Sequence, residues 1–164
     1  MTSATSGKTS YATPSDTELT ATRVFNAPRE MVFDAHTLSR HVQKWLLGPE
    51  GWSMPVCELD LKPGGKWRYV WRKDDDGTEM QMSGIFTEVE RPSRYVFTER
   101  WGDEWPETLN ITEFTEKDGK TTMKLTVKYP SKALRDKAMA TGMTGGMDTS
   151  YDRLDSLLQT ITSG

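Results

Sequence analysis

Glu99, Tyr69 and Glu88 are the residues of this chain whose types and spacing offer chemistry. Alternation along their strands turns all three to one side of a sheet, where two carboxylates beside a phenol suit acid–base work on a carbonyl substrate. Other arrangements fall short of a site. His36 and His41 lie five apart with no cysteine or carboxylate cluster to complete a metal site, and they read as ordinary helix histidines. Cys57 follows Val56 in an apolar strand with no adjacent base, so it reads as an inert thiol. Pro63-Gly64-Gly65 joins two strands rather than opening a helix, which argues against a phosphate-binding loop. Asp74-Asp75-Asp76 reads as a solvated hairpin tip. No metal and no cofactor is implied.

Positioning these residues requires strands. From Glu18 to Phe25 the chain is β-rich; Asn26 then offers a cap for a helix with Pro28, Arg29 and Glu30 in its first turn, and a second short helix covers Ser39 to Leu46. A meander of six strands follows, punctuated by Pro63-Gly64-Gly65, Asp76-Gly77, Arg91-Pro92, the 102–106 loop and Asp118-Gly119. Trp67, Tyr69 and Trp71 share one strand face; Tyr95, Phe97 and Trp101 share another, and Met123, Leu125, Val127 and Tyr129 a third. Such alternation marks antiparallel strands with one covered face. After Pro130 the period changes. Ser131 is an N-cap, and apolar residues recur at helical spacing from Leu134 through Ala138, Met143, Met147, Tyr151 and Leu154 to Ile161. The expectation is one long amphipathic C-terminal helix covering the aromatic side of the sheet. Gly142, Gly145 and Gly146 within it suggest a kink, a close approach to the sheet, room for a ligand, or a break between two segments.

Turns also set register. A two-residue Asp76-Gly77 loop puts Tyr69 opposite Gly84, Trp71 opposite Met82 and Trp67 opposite Phe86. A turn centred on Arg91-Pro92 puts Gly84 opposite Glu99, Phe86 opposite Phe97 and Met82 opposite Trp101. Glu99 is then expected beside Asn110, and Asn110 opposite Val127. The outcome is a polar row (Tyr69, Gly84, Glu99, Asn110, Val127) on an apolar concave face, with an opening at Gly84. A buried carboxylate without partners is unfavourable and raises its own pKa, so Glu99 needs Tyr69, Asn110, water or a ligand donor. The row reads either as the polar anchor of an apolar pocket or as a carboxylate at the sheet's mouth, solvated or paired with an arginine.

Composition bounds the function. The 164 residues suit one domain, and 6 Trp, 5 Phe, 5 Tyr and 9 Met carry much of the burial. A net charge of −3 with no basic block argues against nucleic acid and anionic membranes as partners. The single cysteine excludes an internal disulfide framework, and no apolar run approaches a membrane span. Residues 1–17, rich in Ser, Thr and Ala, read as a disordered tail, with residues 18–164 as the domain and a cytoplasmic location expected.

Several motifs resemble a known family. Thr22-Arg23-Val24-Phe25-Asn26-Ala27-Pro28 with Val32-Phe33-Asp34-Ala35 looks like the opening of the START-like (SRPBCC, birch-pollen-allergen-like) superfamily. Within it the chain is similar to the bacterial activator-of-heat-shock-protein-ATPase homologues. Trp45 with Gly48-Pro49, Pro63-Gly64-Gly65-Lys66-Trp67-Arg68, Tyr95-Val96-Phe97-Thr98-Glu99-Arg100-Trp101 and Ser150-Tyr151-Asp152-Arg153-Leu154 fit the same family, over residues 18–162. His36 and Met147 stand where many members carry Trp, and Leu46-Leu47 replaces another. The resemblance implies an α+β helix-grip fold, a curved antiparallel sheet of about seven strands wrapped around the C-terminal helix, and commonly a bound hydrophobic molecule.

The reading that follows is a non-catalytic binder of a small hydrophobic molecule between sheet and helix. Its expected lining is Trp45, Trp67, Tyr69, Trp71, Met82, Gly84, Phe86, Phe97, Glu99, Trp101, Asn110, Met123, Met143, Met147 and Tyr151. Two alternatives stand beside it. One is an enzyme of the cyclase, aromatase or hydrolase type using Tyr69 and Glu99; the other is an interaction module stimulating a chaperone ATPase.

Overall fold

A computed structural model describes residues 8–102 and 106–163, with side chains as far as Ile161. The expected residues 1–7 of the tail and 103–105 of the loop lie outside the described residues. Eight strands form one antiparallel sheet: β1 (Thr9–Ala12), β2 (Glu18–Phe25), β3 (Trp52–Leu59), β4 (Lys66–Lys73), β5 (Glu79–Glu90), β6 (Arg94–Glu99), β7 (Thr108–Lys117) and β8 (Lys120–Lys128), in spatial order β1-β2-β8-β7-β6-β5-β4-β3. Helices α1 (Arg29–Thr37) and α2 (Ser39–Trp45) connect β2 to β3, and α3 (Lys132–Met139) and α4 (Met143–Ser163) close the chain. This is the helix-grip arrangement expected from the sequence.

Three differences from expectation have local causes. Residues 9–12, read as part of a disordered tail, form an edge strand on β2 because Tyr11 is anchored: its hydroxyl donates to Asp148 Oδ1 at 2.7 Å and lies 3.0 Å from the Thr144 carbonyl oxygen. The single terminal helix is two helices. Ser131 caps α3 by accepting from Leu134 N, as expected, but Gly142 adopts φ +80°, a left-handed conformation that ends the first helical segment. Helix α1 is not capped by Asn26. Pro28 holds the cap position, and the Arg29 amide donates to Glu116 Oε1 on β7 at 2.8 Å.

The main core lies between the concave face and α1, α2 and α4, and it includes Phe25, Phe33, Trp45, Tyr95, Phe114, Met123, Tyr151 and Leu154. A smaller cluster of Leu19, Val127, Tyr129 and Ala138 lies under α3, and Leu125 packs against both. One ionic tie fixes α4 to the sheet. Arg23, 1% exposed on β2, donates to Asp152 Oδ1 at 2.9 Å and to Asp155 Oδ2, with Thr9 Oγ1 accepting at 3.1 Å. Its guanidinium sits 5.6 Å from the Phe25 ring and 5.9 Å from the Tyr151 ring.

Removing one partner of a buried pair strands the other charge, whereas an exposed carboxylate contributes little. Asp155 is 22% exposed and Asp152 67%. Chemical denaturation is therefore expected to show Asp155→Ala destabilised by about 3 kcal/mol and Asp152→Ala by less than about 1 kcal/mol.

Candidate functional site

Register decides which side chains meet on the concave face. The β4–β5 turn is Asp74-Asp75-Asp76-Gly77, closed by Lys73 N donating to the Thr78 carbonyl at 2.8 Å, rather than a two-residue loop. Asp76 Oδ1 accepts from Thr78 N and Thr78 Oγ1, and this Asx turn favours the longer loop. Trp67 is therefore opposite Gly84, Tyr69 opposite Met82 and Trp71 opposite Met80. The β6–β7 pairing is also displaced: Asn110 faces Phe97, and Glu99 faces Thr108. Phe86 opposite Phe97 and Asn110 opposite Val127 are as expected.

The expected row is thus redrawn. Tyr69 and Asn110 leave it, and Trp67, Gly84, Glu99 and Thr108 take its place, with Ser83 bridged to Arg100 holding Gly84 level with Glu99. Gly84 does not leave an opening. A side chain there would collide with the Thr98 carbonyl oxygen and with Trp67 Nε1, which donates to that carbonyl at 3.1 Å. The glycine exists so that an indole can cross it. Glu88 leaves the site altogether: an irregularity between Phe86 and Glu88 turns it outward, where Arg94 Nη2 donates to it at 3.1 Å.

Glu99 stays on the concave face. Among the described residues its side-chain donor is Trp101 Nε1, 3.1 Å from Oε1. Burial pushes its carboxyl up to about 7 and the Trp101 hydrogen bond pulls it back in part. Tyrosines from separate elements feel its charge. Burial, then Tyr95, Cys57 and Glu99 in turn, raise Tyr69 on β4; burial, then Glu99, push Tyr129 up to about 12. Tyr151 on α4 is raised by burial and Tyr95, against the influence of Arg23, with Asp148 and Glu99 adding to the rise. One carboxylate thus accepts from an indole and acts electrostatically on three phenols.

The other expected lining residues divide into frame and wall. Trp45 is frame: it stacks on Tyr151 and its Nε1 donates to the Ala35 carbonyl at 2.8 Å. Met82, Phe86 and Met123 are fully packed core. Trp71 donates to the Leu46 carbonyl at 2.7 Å and stacks on Trp101 at 5.5 Å and 11°. Asn110 is sealed, donating to Thr108 Oγ1 at 3.0 Å. Met143 accepts from the Tyr129 hydroxyl at 3.7 Å beside the smaller cluster, while Met147 packs against the main one. Phe97, Glu99, Trp101, Leu125 and Met147 remain partly accessible.

Sequence reasoning missed Arg23, Tyr95 and Tyr129 as site residues. Arg23 was legible: it alternates with Ala21 and Phe25 on the covered face, and Asp152 and Asp155 recur at helical spacing. His36 is a core residue, its Nδ1 2.8 Å from the Val32 carbonyl and its pKa lowered to about 4 by burial, against that hydrogen bond. Burial raises Cys57, with a hydrogen bond from Ser39 lowering it in part. Among the described residues no group of three or more His, Cys, Asp or Glu is placed to hold a metal, and no helix is long and apolar enough to cross a membrane. Two depressions are present: about 360 Å³ beside Asp34, His41 and Arg91, away from the site, and about 590 Å³ beside Arg68, Ile85 and Arg100, which reaches Trp67 and Gly84 of the row.

This frame has known counterparts. The family profile for Activator of Hsp90 ATPase homolog 1-like protein matches residues 26–159. A crystal structure of a Rhodobacter sphaeroides protein is 27% identical, with TM-score 0.88 over 93% of this chain and 99% of that one. The Ms6760 protein of Mycobacterium smegmatis is 26% identical, with TM-score 0.81 over 92% of this chain and 97% of that one. The AHSA1 protein of Silicibacter pomeroyi is 25% identical, with TM-score 0.72 over 87% of this chain and 98% of that one. No curated protein is significantly similar to the chain.

The site makes a pH-dependent prediction with a definite sign. With a folded value near 7 against an ordinary 4.5, Glu99 holds a proton that the unfolded chain releases, so its contribution falls as pH rises from about 4.5 to 7. His36 acts oppositely: it releases a proton the unfolded chain keeps, and its contribution rises between pH 4 and 6.5. The difference between Glu99→Gln and the parent isolates the carboxylate. Glu99→Gln is expected to gain up to about 3 kcal/mol on the parent between pH 5 and pH 8, read as diverging melting temperatures.

Proposed function

Since the chain belongs to the family of Activator of Hsp90 ATPase homolog 1-like proteins, we propose that it binds a small, mostly apolar molecule between the concave face and α4. The observation that carries this reading is the band of Phe97, Glu99, Trp101, Leu125 and Met147. Each stays partly accessible on elements whose neighbouring inward residues, Tyr95, Met123, Val127 and Tyr151, are buried. Close-packed interiors leave few gaps, and an accessible apolar band facing inward suits a guest. The band also favours adaptable contents, because Met147 and the nearby Met143 have flexible thioether chains.

The polar groups suit orientation more than turnover. Glu88, which the acid–base reading required beside Glu99, is on the outer surface with Arg94. Glu99 and the tyrosines supply a polar end to an apolar space, as binding pockets commonly do. The activator reading would use the outer surface, where the depression beside Arg68, Ile85 and Arg100 combines cationic and apolar groups with Glu58 and Glu107. Its mixed charge offers no defined complement.

A filled space excludes its guest. Titration with the neutral fluorophore N-phenyl-1-naphthylamine is expected to show saturable binding to the parent protein. Leu125→Trp should weaken it by about tenfold or more, a loss of about 1.4 kcal/mol, with the fold intact by circular dichroism. Leu125→Phe, a smaller insertion, should give a partial loss. Unchanged binding in both variants would place the fluorophore elsewhere and remove the proposal.

A further inference from the structure

We propose that the molecule held on the concave face carries a single positive charge, its ammonium group resting between the Glu99 carboxylate and the surrounding aromatic rings. This inference rests on the pocket reading above and adds the chemical class of the guest. It starts from unbalanced charge. The inward cation of the main core is Arg23, and Asp152 and Asp155 already neutralise it. Glu99 has no such partner: although the chain holds 21 Lys and Arg, among the described residues none forms an ion pair with it.

Its hydrogen bonding is likewise incomplete. A carboxylate offers about four acceptor positions. Trp101 Nε1 fills one of them, and the indoles of Trp67, Trp71 and Trp45 are committed elsewhere, to the Thr98, Leu46 and Ala35 carbonyls. An ammonium supplies three donors and a full countercharge to the same oxygens.

The walls suit a cation as well. Trp71 and Trp101 are stacked, Trp67 lies 4.8 Å from Tyr69 and 5.6 Å from Phe97, and Tyr69, Tyr129 and Tyr151 lie within electrostatic reach of Glu99. Ring faces attract cations most strongly where water is excluded. The same field disfavours an anionic guest such as a carboxylic acid, because two like charges would share a half-buried space. Glu99 is hydrogen-bonded by Trp101 beyond β6 and interacts electrostatically with Tyr69 from β4, Tyr129 after β8 and Tyr151 from α4; Tyr95 and Cys57 act on Tyr69, and Arg23 and Asp148 on Tyr151. A bound ammonium would hold Glu99 ionised, so uptake below neutrality should expel its proton.

The test compares three probes of equal apolar bulk: 2-(2-naphthyl)ethylamine, the matching alcohol and the matching carboxylic acid, titrated calorimetrically at pH 8. The amine is expected to bind about thirtyfold more tightly than the alcohol, with the acid weakest. Glu99→Gln should abolish the amine's advantage over the alcohol. Equal affinity of amine and alcohol would overturn the charge assignment while leaving the pocket standing. Failure of all three to bind would overturn the pocket and the charge assignment together. A second measurement stands apart from any variant: at pH 6.5, amine binding to the parent should release a proton, seen as heats that vary with buffer ionisation enthalpy, whereas alcohol binding should not. Equal proton release on binding the amine and the alcohol would also overturn the assignment.

Discussion

A carboxylate only partly reached by water on the apolar side of a sheet is unfavourable unless a proton, a donor or a countercharge relieves it. Glu99 is in that position, and the rest of the site is arranged around it. Trp101 gives it one hydrogen bond, and tyrosines of β4, α4 and the segment after β8 feel its charge without bringing a positive one. The concave face therefore ends in an electrostatic deficit. A packed core would have no use for it.

The chain treats its other inward charge differently. Arg23 receives two carboxylates from α4, a threonine hydroxyl from β1 and two aromatic rings. That cluster ties the C-terminal helix to the sheet, and Tyr11 fastens the first strand to the same helix through Asp148. Arg23 is ion-paired and structural. Glu99 has no ion pair among the described residues and lies in the accessible band, which is where binding energy can be gained from outside the protein.

The architecture was legible in the sequence because period and turn chemistry agreed. Asp118 and Gly119 adopt φ of 56° and 77°, the paired positive angles a two-residue hairpin requires, and the β7–β8 register followed from them. The site was legible only in part. Reading the β4–β5 turn as two residues instead of four slid Tyr69 past Gly84 to Met82, about 7 Å along the strand. Inward residues stay inward under any even slip, so alternation gave no warning. The odd slip was different. An irregularity at Phe86–Glu88 turned Glu88 to the other face, and nothing in local composition marks it. Glu99 was placed on the concave side because no bulge intervenes between Tyr95 and Glu99, yet its neighbours came from register and could not be read from spacing.

Carbon-13 NMR of the Glu99 side-chain carboxyl in the free protein, followed across pH, reads the charge on the concave face. An inflection near pH 7 is predicted, well above the ordinary carboxylate value. An inflection near 4.5 would mean that water or a cation already relieves the charge, and the polar end of the pocket would no longer call for a guest.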